Sequence, residues 1–239
     1  IGQKLLKWTY SSLPSAIISL GPGQSQYLRS VYSSKTLEMP VFELPCGLFV
    51  DEDSGNGELP EWGNPEKVTF GYVGNIGEAH DLEFVKEVIK NLDPELHQFI
   101  LSTYGAKSTE LIAFASKFPV VQQTDRVSRD DLKYIDVHLA TLESHWTHVC
   151  VPSKVVSAVC AGSTFLLKAD EQGDNWRLLS GAGVLFENRD DVSQAIQRSI
   201  DLTDFHSLSE MAKLRRIELL KAKAETFQEL RDFLLLGRG

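Results

Sequence analysis

Cysteine is scarce in this chain. Three residues, Cys46, Cys150 and Cys160, are scattered over 239 positions. They are too few for a disulfide framework, and this usage predicts a reducing, cytoplasmic setting. Long apolar runs are absent too: no stretch approaches the length that spans a bilayer, and no signal-peptide pattern is visible. Positive charge is in deficit, with 24 Lys and Arg against 33 Asp and Glu and a formal charge of −9. That balance argues against a nucleic-acid partner, which needs a basic face or stripe. A nucleotide ligand stays open, because a helix terminus and one or two cations suffice to hold phosphate. There is no G-x-x-x-x-G-K-[ST] phosphate loop, no internal repeat and no low-complexity segment. Metal-ligand clusters are unconvincing. Asp51-Glu52-Asp53 has no histidine near it and reads as a solvated acidic loop. His145, His148 and Cys150 lie within six residues but lack the second cluster that a zinc site uses.

What is present is ordinary globular material, 42% hydrophobic and 24% charged, enough to bury a sizeable core. The chain is organised around Val68 to Leu82, VTFGYVGNIGEAHDL. Val68 to Val73 is a short β-rich apolar run of the kind that forms a buried strand. Gly74, Asn75 and Gly77 then supply residues that tolerate tight turns. From Asp81 the apolar positions Leu82, Val85, Val88, Ile89 and Leu92 recur at helical spacing. Strand, glycine turn and helix together aim backbone N–H groups and a helix N-terminus at one point, which attracts phosphate. Such turns are common in α/β proteins, so an anionic ligand is suggested but not named. A dinucleotide fingerprint would need glycine at position 72, where Tyr72 stands.

Taken in order, Lys4 to Leu13 reads as a helix, Ser15 to Leu20 as a strand, Gln24 to Tyr32 as a short helix and Val41 to Leu44 as a strand. Residues 1–50 are thus parallel-sheet material too small to hold a core of its own. They are expected to be the last segment of an N-terminal α/β domain. Ile1 opens the chain in a helix-like pattern, which suggests a piece of something longer. Residues 51–67 are acidic, rich in glycine and proline, and read as a surface linker. Beyond the opening unit, strands are predicted at Gln98–Thr103, Val120–Val121, Asp136–Thr141, Thr164–Leu167 and Val184–Phe186. Helices are predicted at Ser108–Lys117, Pro152–Ala161, Asp174–Ser180 and Asp190–Leu202, with a short one capped by Ser128. Alternation of this kind over 68–206 predicts an α/β, doubly wound parallel sheet, with a long charged helix over 207–239. Ligands of such sheets sit outside the carboxyl ends of the strands. Four loops gather there: Gly74–Glu78, Tyr104–Lys107, Asp125–Val127 and Trp146–Lys154.

The second informative stretch is Val151 to Leu167, VPSKVVSAVCAGSTFLL. Backbone amides at its helix start and the Lys154 ammonium could face one phosphate, pairing a helix dipole with a point charge. The plainer alternative is that Ser153 merely caps the helix and Lys154 is solvated.

The order GYVGNIGEAHDL, then VPSKVVSAVCAGSTFLL, then DNWRLLSGAGVLFENRDDVSQAI resembles the C-terminal, Rossmann-like domain of GT-B glycosyltransferases, and retaining glycosyltransferase family 4 in particular. That family shows a G-N-x-G turn, a P-S-K-x-x-E-x-x-A-x-G segment and a late E-x-x-x-L-I-x-x-x-G-x-G element. Leu44 to Leu48 resembles its crossing between domains. The resemblance implies binding of a nucleotide-diphosphate sugar, UDP- or GDP-linked, and transfer of the sugar with retention, as in polysaccharide biosynthesis. Gly74, Asn75 and Gly77 would lie against the diphosphate, with Ser153 and Lys154 helping to hold it. Arg126 and Val127 would sit by the base. No metal or other cofactor is implied. The family's paired glutamates fall at Val149 and Ser157. Ser157 could hold the ribose more weakly, whereas Val149 cannot contact the sugar; His148 or Thr147 is the nearest substitute. Asp174 or Asn175 stands near the acid of the late element. A GT-B enzyme also needs an N-terminal domain for its acceptor, through which peripheral membrane contact is conceivable. The long C-terminal helix would pack back on that domain or, through Leu214, Ile217 and Leu220, form a homo-oligomer.

Two other readings compete. One is a non-catalytic module on the same fold that binds a nucleotide sugar or a partner subunit. The other is a nicotinamide-dependent oxidoreductase, disfavoured by Tyr72 and by the lack of an acidic residue closing a second strand.

Overall fold

The computed structural model describes residues 16–32, 40–49, 58–147, 150–187 and 191–236. The helix predicted at Lys4–Leu13 lies outside them. The first described unit is a small parallel pair, β1 (Ile17–Ser19) and β2 (Val41–Glu43), joined through α1 (Pro22–Tyr32).

A six-stranded sheet follows. Its strands are β3 (Val68–Asn75), β4 (His97–Tyr104), β5 (Val121–Gln123), β6 (Val137–Thr141), β7 (Thr164–Lys168) and β8 (Val184–Phe186). All pairings are parallel, in the order β5-β4-β3-β6-β7-β8. The chain runs outward from β3 to β5, returns to the middle at β6, and runs outward again to β8. That reversal is the doubly wound topology, and it opens a crevice where β3 and β6 part. The connecting helices are α2 (Leu82–Asn91), α3 (Ser108–Ala115), α4 (Ser153–Cys160), α5 (Asp174–Leu179), α6 (Val192–Ile200) and α7 (Leu202–Leu236).

Both faces of the sheet are covered, so successive residues along a strand are both buried. Phe70, Tyr72, Phe99, Leu101, Leu139 and Leu166 point into one layer, with Val85 and Ile89 of α2 and Ile196 of α6. Ala140, Phe165 and Leu167 point into the other, with Val155, Val156 and Val159 of α4 and Leu219 of α7. Between Phe70 and Tyr72, Gly71 leaves the space that Ile135 fills: a Cβ there would stand 2.8 Å from its Cδ1. α2 starts where the sequence places it, because Asp81 accepts the Phe84 amide at 3.0 Å.

Three elements differ from expectation in detail. β3 runs on through Gly74 and Asn75, since β4 keeps pairing with it as far as Tyr104. The segment after Ser128 forms a turn leading into a 3-10 turn at Leu132–Tyr134 rather than an α-helix. Ser128 nonetheless takes the Asp131 amide, at 3.2 Å. The stretch expected as surface linker is anchored at its end by Trp62, which is buried against Ile100 and Ile135.

α7 does two jobs. Ala212 and Leu219 close the second core layer, while its far end reaches the opening unit. There Thr226 Oγ1 donates to Glu43 O at 3.1 Å, and Phe233 meets Phe42 at 5.8 Å between ring centroids. Leu214 and Ile217 remain exposed and Leu220 half-buried. No helix among the described residues is long and apolar enough to cross a membrane.

Candidate functional site

At the crevice between β3 and β6, the loop after β3 meets α4. Gly74 has φ +108°, a left-handed value that glycine adopts without strain. A Cβ there would lie 3.4 Å from Lys154 Cε, so the lysine stem packs on bare backbone. Its ammonium nitrogen donates to Asn75 O at 2.7 Å and stands 3.1 Å from His80 Nε2. It also lies 5.0 Å from the centre of the buried Tyr72 ring, in cation–π range. His80 is buried, and its Nδ1 accepts the Gly77 amide at 3.1 Å.

Neighbouring loops hold this arrangement in place. Lys107 Nζ donates to His80 O at 2.6 Å, and the Lys107 amide donates to Ile76 O at 3.0 Å. Thr103 Oγ1 donates to Gly74 O at 2.9 Å. Gly105 (φ +109°) passes so close to Asn75 that an added Cβ would fall 2.1 Å from its Oδ1. On the β6 side, Thr141 Oγ1 accepts the Asp81 amide at 2.9 Å and Ala79 O accepts the Glu143 amide at 2.9 Å. Lys168 completes the frame by pairing with Asp81.

Burial sets the charge state of the two central groups. It lowers the Lys154 amine to about 8, with a partial opposing effect from Cys150. It lowers the His80 imidazole to about 4, reinforced by the charges of Lys154 and Lys107 against the Gly77 hydrogen bond. At neutral pH the Lys154 ammonium therefore surrenders its proton easily and stands beside a neutral imidazole.

The start of α4 carries a further set of contacts. Pro152 is the capping residue and supplies no side-chain cap, so Ser153 is not the cap and its side chain is exposed. The segment after β2 lies along this first turn. Ser157 Oγ donates to Gly47 O at 3.1 Å, and Gly47, at φ +89°, would press a Cβ to within 2.6 Å of Ser153 O. Cys46 Sγ contacts Val151 O at 3.6 Å.

Of the residues singled out from sequence, Gly74, Asn75, Gly77 and Lys154 come together. Ser153 and Ser157 meet the Gly47 segment at the same helix start. Arg126 and Val127 stand on the adjacent loop beyond β5, with Arg126 exposed and Val127 packed towards Trp62, Ile100 and Ile135. His148 and Val149 lie outside the described residues. Two residues of the cluster went unnoticed in the sequence, His80 and Lys107. The available sign for His80 was a histidine inside the turn that opens α2, three residues after Gly77. Lys107 lies within one of the four recognised loops, but nothing in its neighbours marked it.

A second crevice, of about 400 Å³, opens past the ends of β6, β7 and β8. Asp81, Glu143, Lys168, Asp170 and Glu187 line it, with none of the residues singled out from sequence. Among the described residues, no group of three His, Cys, Asp or Glu is placed to hold a metal ion.

Strand order, the switch-point crevice and the opening βαβ unit together define the Rossmann-like fold found in GT-B glycosyltransferases. The likeness is structural: no protein-family model and no curated protein matches the chain. Among solved structures, the pneumococcal O-GlcNAc transferase GtfA, in complex with UDP and GlcNAc, superposes with a TM-score of 0.69 at 14% identity over 96% of this chain and 47% of that one. Anabaena HepE, in complex with UDP and glucose, gives 0.68 at 12% identity over 96% and 66%. The N-terminal domain of Candida albicans trehalose-6-phosphate phosphatase gives 0.65 at 14% over 92% and 58%. This chain thus spans about half to two thirds of the length of these neighbours. At such identities the likeness establishes the fold.

Proposed function

We propose that this chain is the donor-binding part of a glycosyltransferase that uses a UDP- or GDP-linked sugar, with retention as in the family 4 enzymes it resembles in sequence. One observation carries the reading: the Lys154 ammonium and the Gly74–Gly77 turn meet at the switch point of the sheet, beside the start of α4. The leaving group of such a reaction is a nucleoside diphosphate, and charge develops on its oxygens as the glycosidic bond breaks. Donors fixed in a low-dielectric crevice stabilise that charge without reorganising. Lys154 and the amides at the start of α4 are the donors in question, with the glycine turn leaving room beside them. The loop carrying Arg126 and Val127 is the place for the base. The UDP in the GtfA and HepE complexes supports it by analogy, and direct binding decides the matter. Calorimetric titration is expected to give binding of UDP or GDP and none of NADH. Lys154→Ala should weaken it about tenfold or more, the usual effect of losing a charge-assisted hydrogen bond. Unchanged affinity would remove Lys154 from the site.

One observation favours a second reading, a nucleotide-sugar-binding module without transfer activity. Where the family carries a ribose-holding glutamate, Ser157 directs its hydroxyl to Gly47 instead. Donor hydrolysis or sugar transfer by a protein with this chain's domain and its acceptor side would exclude that alternative.

A further inference from the structure

The contacts around His80 impose a proton count. The Gly77 amide donates to Nδ1, so that nitrogen carries a lone pair, and the neutral ring has its proton on Nε2. Nε2 stands 3.1 Å from Lys154 Nζ, which itself donates to Asn75 O at 2.7 Å. An ammonium has three hydrogens and no lone pair, so a charged Lys154 would place N–H against N–H. The other ring tautomer relieves that clash only by setting Nδ1–H against the Gly77 amide. A neutral amine removes the conflict: it accepts from Nε2–H and still donates to Asn75 O. We propose that His80 is a positioning residue that steers the Lys154 amine and makes it give up its proton readily while the site is empty, so that an anionic phosphate ligand binds together with a proton. This rests on the reading of the crevice as a phosphate site.

The other groups facing the pair are accounted for. The Tyr72 ring lies edge-on to His80 and under Lys154. Lys107 faces the His80 carbonyl. Cys150 acts on Lys154 through charge alone and favours its protonated form. Asp81, next to His80, is taken by the Phe84 amide and Lys168. No carboxylate among these compensates the ammonium directly, so a phosphate that arrives supplies the missing negative charge and draws the proton in.

The test has two arms. In the free protein, competitive acetylation of Lys154 across pH, read by mass spectrometry, should show a midpoint near 8. In His80→Gln the amide oxygen can accept from a full ammonium, and the midpoint should rise by about one pH unit or more. An ordinary lysine midpoint in the wild type, or no shift in His80→Gln, overturns the inference. In the second arm, UDP is titrated near pH 8.5 in two buffers of different ionisation enthalpy. UDP has lost its last phosphate proton by then, so uptake of about half a proton or more per site belongs to the protein. That uptake should fall to about a quarter of a proton or less in His80→Gln. Binding of UDP with no proton uptake overturns the inference and leaves the nucleotide site standing. Failure of UDP to bind at all instead sinks the donor-site reading, and the acetylation midpoints still decide the state of the pair.

Discussion

At the scale of single residues, three histidines tie folding to pH. His138 is wholly buried, its Nε2 3.0 Å from Leu132 O, and burial lowers it to about 4. His80 is lowered to about the same value, and His97, whose Nδ1 accepts the Asp93 amide at 3.0 Å, is lowered as well, again through burial. The unfolded chain therefore binds more protons than the folded one between about 6.5 and 4, and stability falls as pH drops through that window. At about 1.4 kcal/mol per pKa unit, His80 and His138 each contribute roughly 3 kcal/mol at most. Asp136, raised by burial despite accepting the Thr69 amide, works in the opposite sense at the acid end. Urea midpoints should drop clearly between pH 7 and 4.5, and His138→Gln should flatten the slope. A midpoint independent of pH over this range would show that these rings are not held neutral.

Individual elements show which local rules the chain obeys. The β3–β4 loops interlock because Gly105 carries no side chain. Gly105→Ala would force a left-handed alanine against Asn75 and the Ile76 carbonyl. A loss of about 1–3 kcal/mol in stability is expected, together with weaker nucleotide binding; a neutral substitution would mean that the loops do not need this contact. Most elements were legible in the sequence because each is signalled locally. The alternation of β-rich runs with helical periodicity marked every strand of the six-stranded sheet, and Asp81 marked the start of α2. The switch point could be foreseen in kind, since the order of elements implied a doubly wound sheet. Which loops actually touch was not legible. Lys154 and Asn75 are 79 residues apart, and their contact depends on β6 lying next to β3. His80 escaped notice for the same reason, as its role exists only once Lys154 arrives from the other side of the crevice. The turn after Ser128 misled because the sequence signal for a cap is the same whether an α-helix or a 3-10 turn follows.

On the scale of the whole molecule, the opening βαβ unit is tied to the large sheet at two ends. At one, Thr226 and Phe233 of α7 grip β2. At the other, Asp174 accepts the amides of Gly23 and Gln24 at 2.6 and 3.0 Å, at the start of α1. Gly21 and Gly23 make that approach possible, because a Cβ on either would lie within 2.7 Å of the Asp174 side chain. Asp174→Ala removes both acceptors. Amide hydrogen exchange across Gln24–Tyr32 should then accelerate by about tenfold or more, with β3 and β4 unchanged. Uniform acceleration, or none, would mean that this contact is not what secures α1. The same unit lays Gly47 against the start of α4, so its docking also shapes the crevice beside Lys154. A crystal structure of the protein grown with UDP is the most direct measurement of that crevice's role. The diphosphate is expected at the start of α4, with an oxygen within hydrogen-bond reach of Lys154 Nζ and the Gly74–Gly77 turn beside it. Nucleotide found elsewhere, with Lys154 still seated on Asn75 and His80, would contradict it.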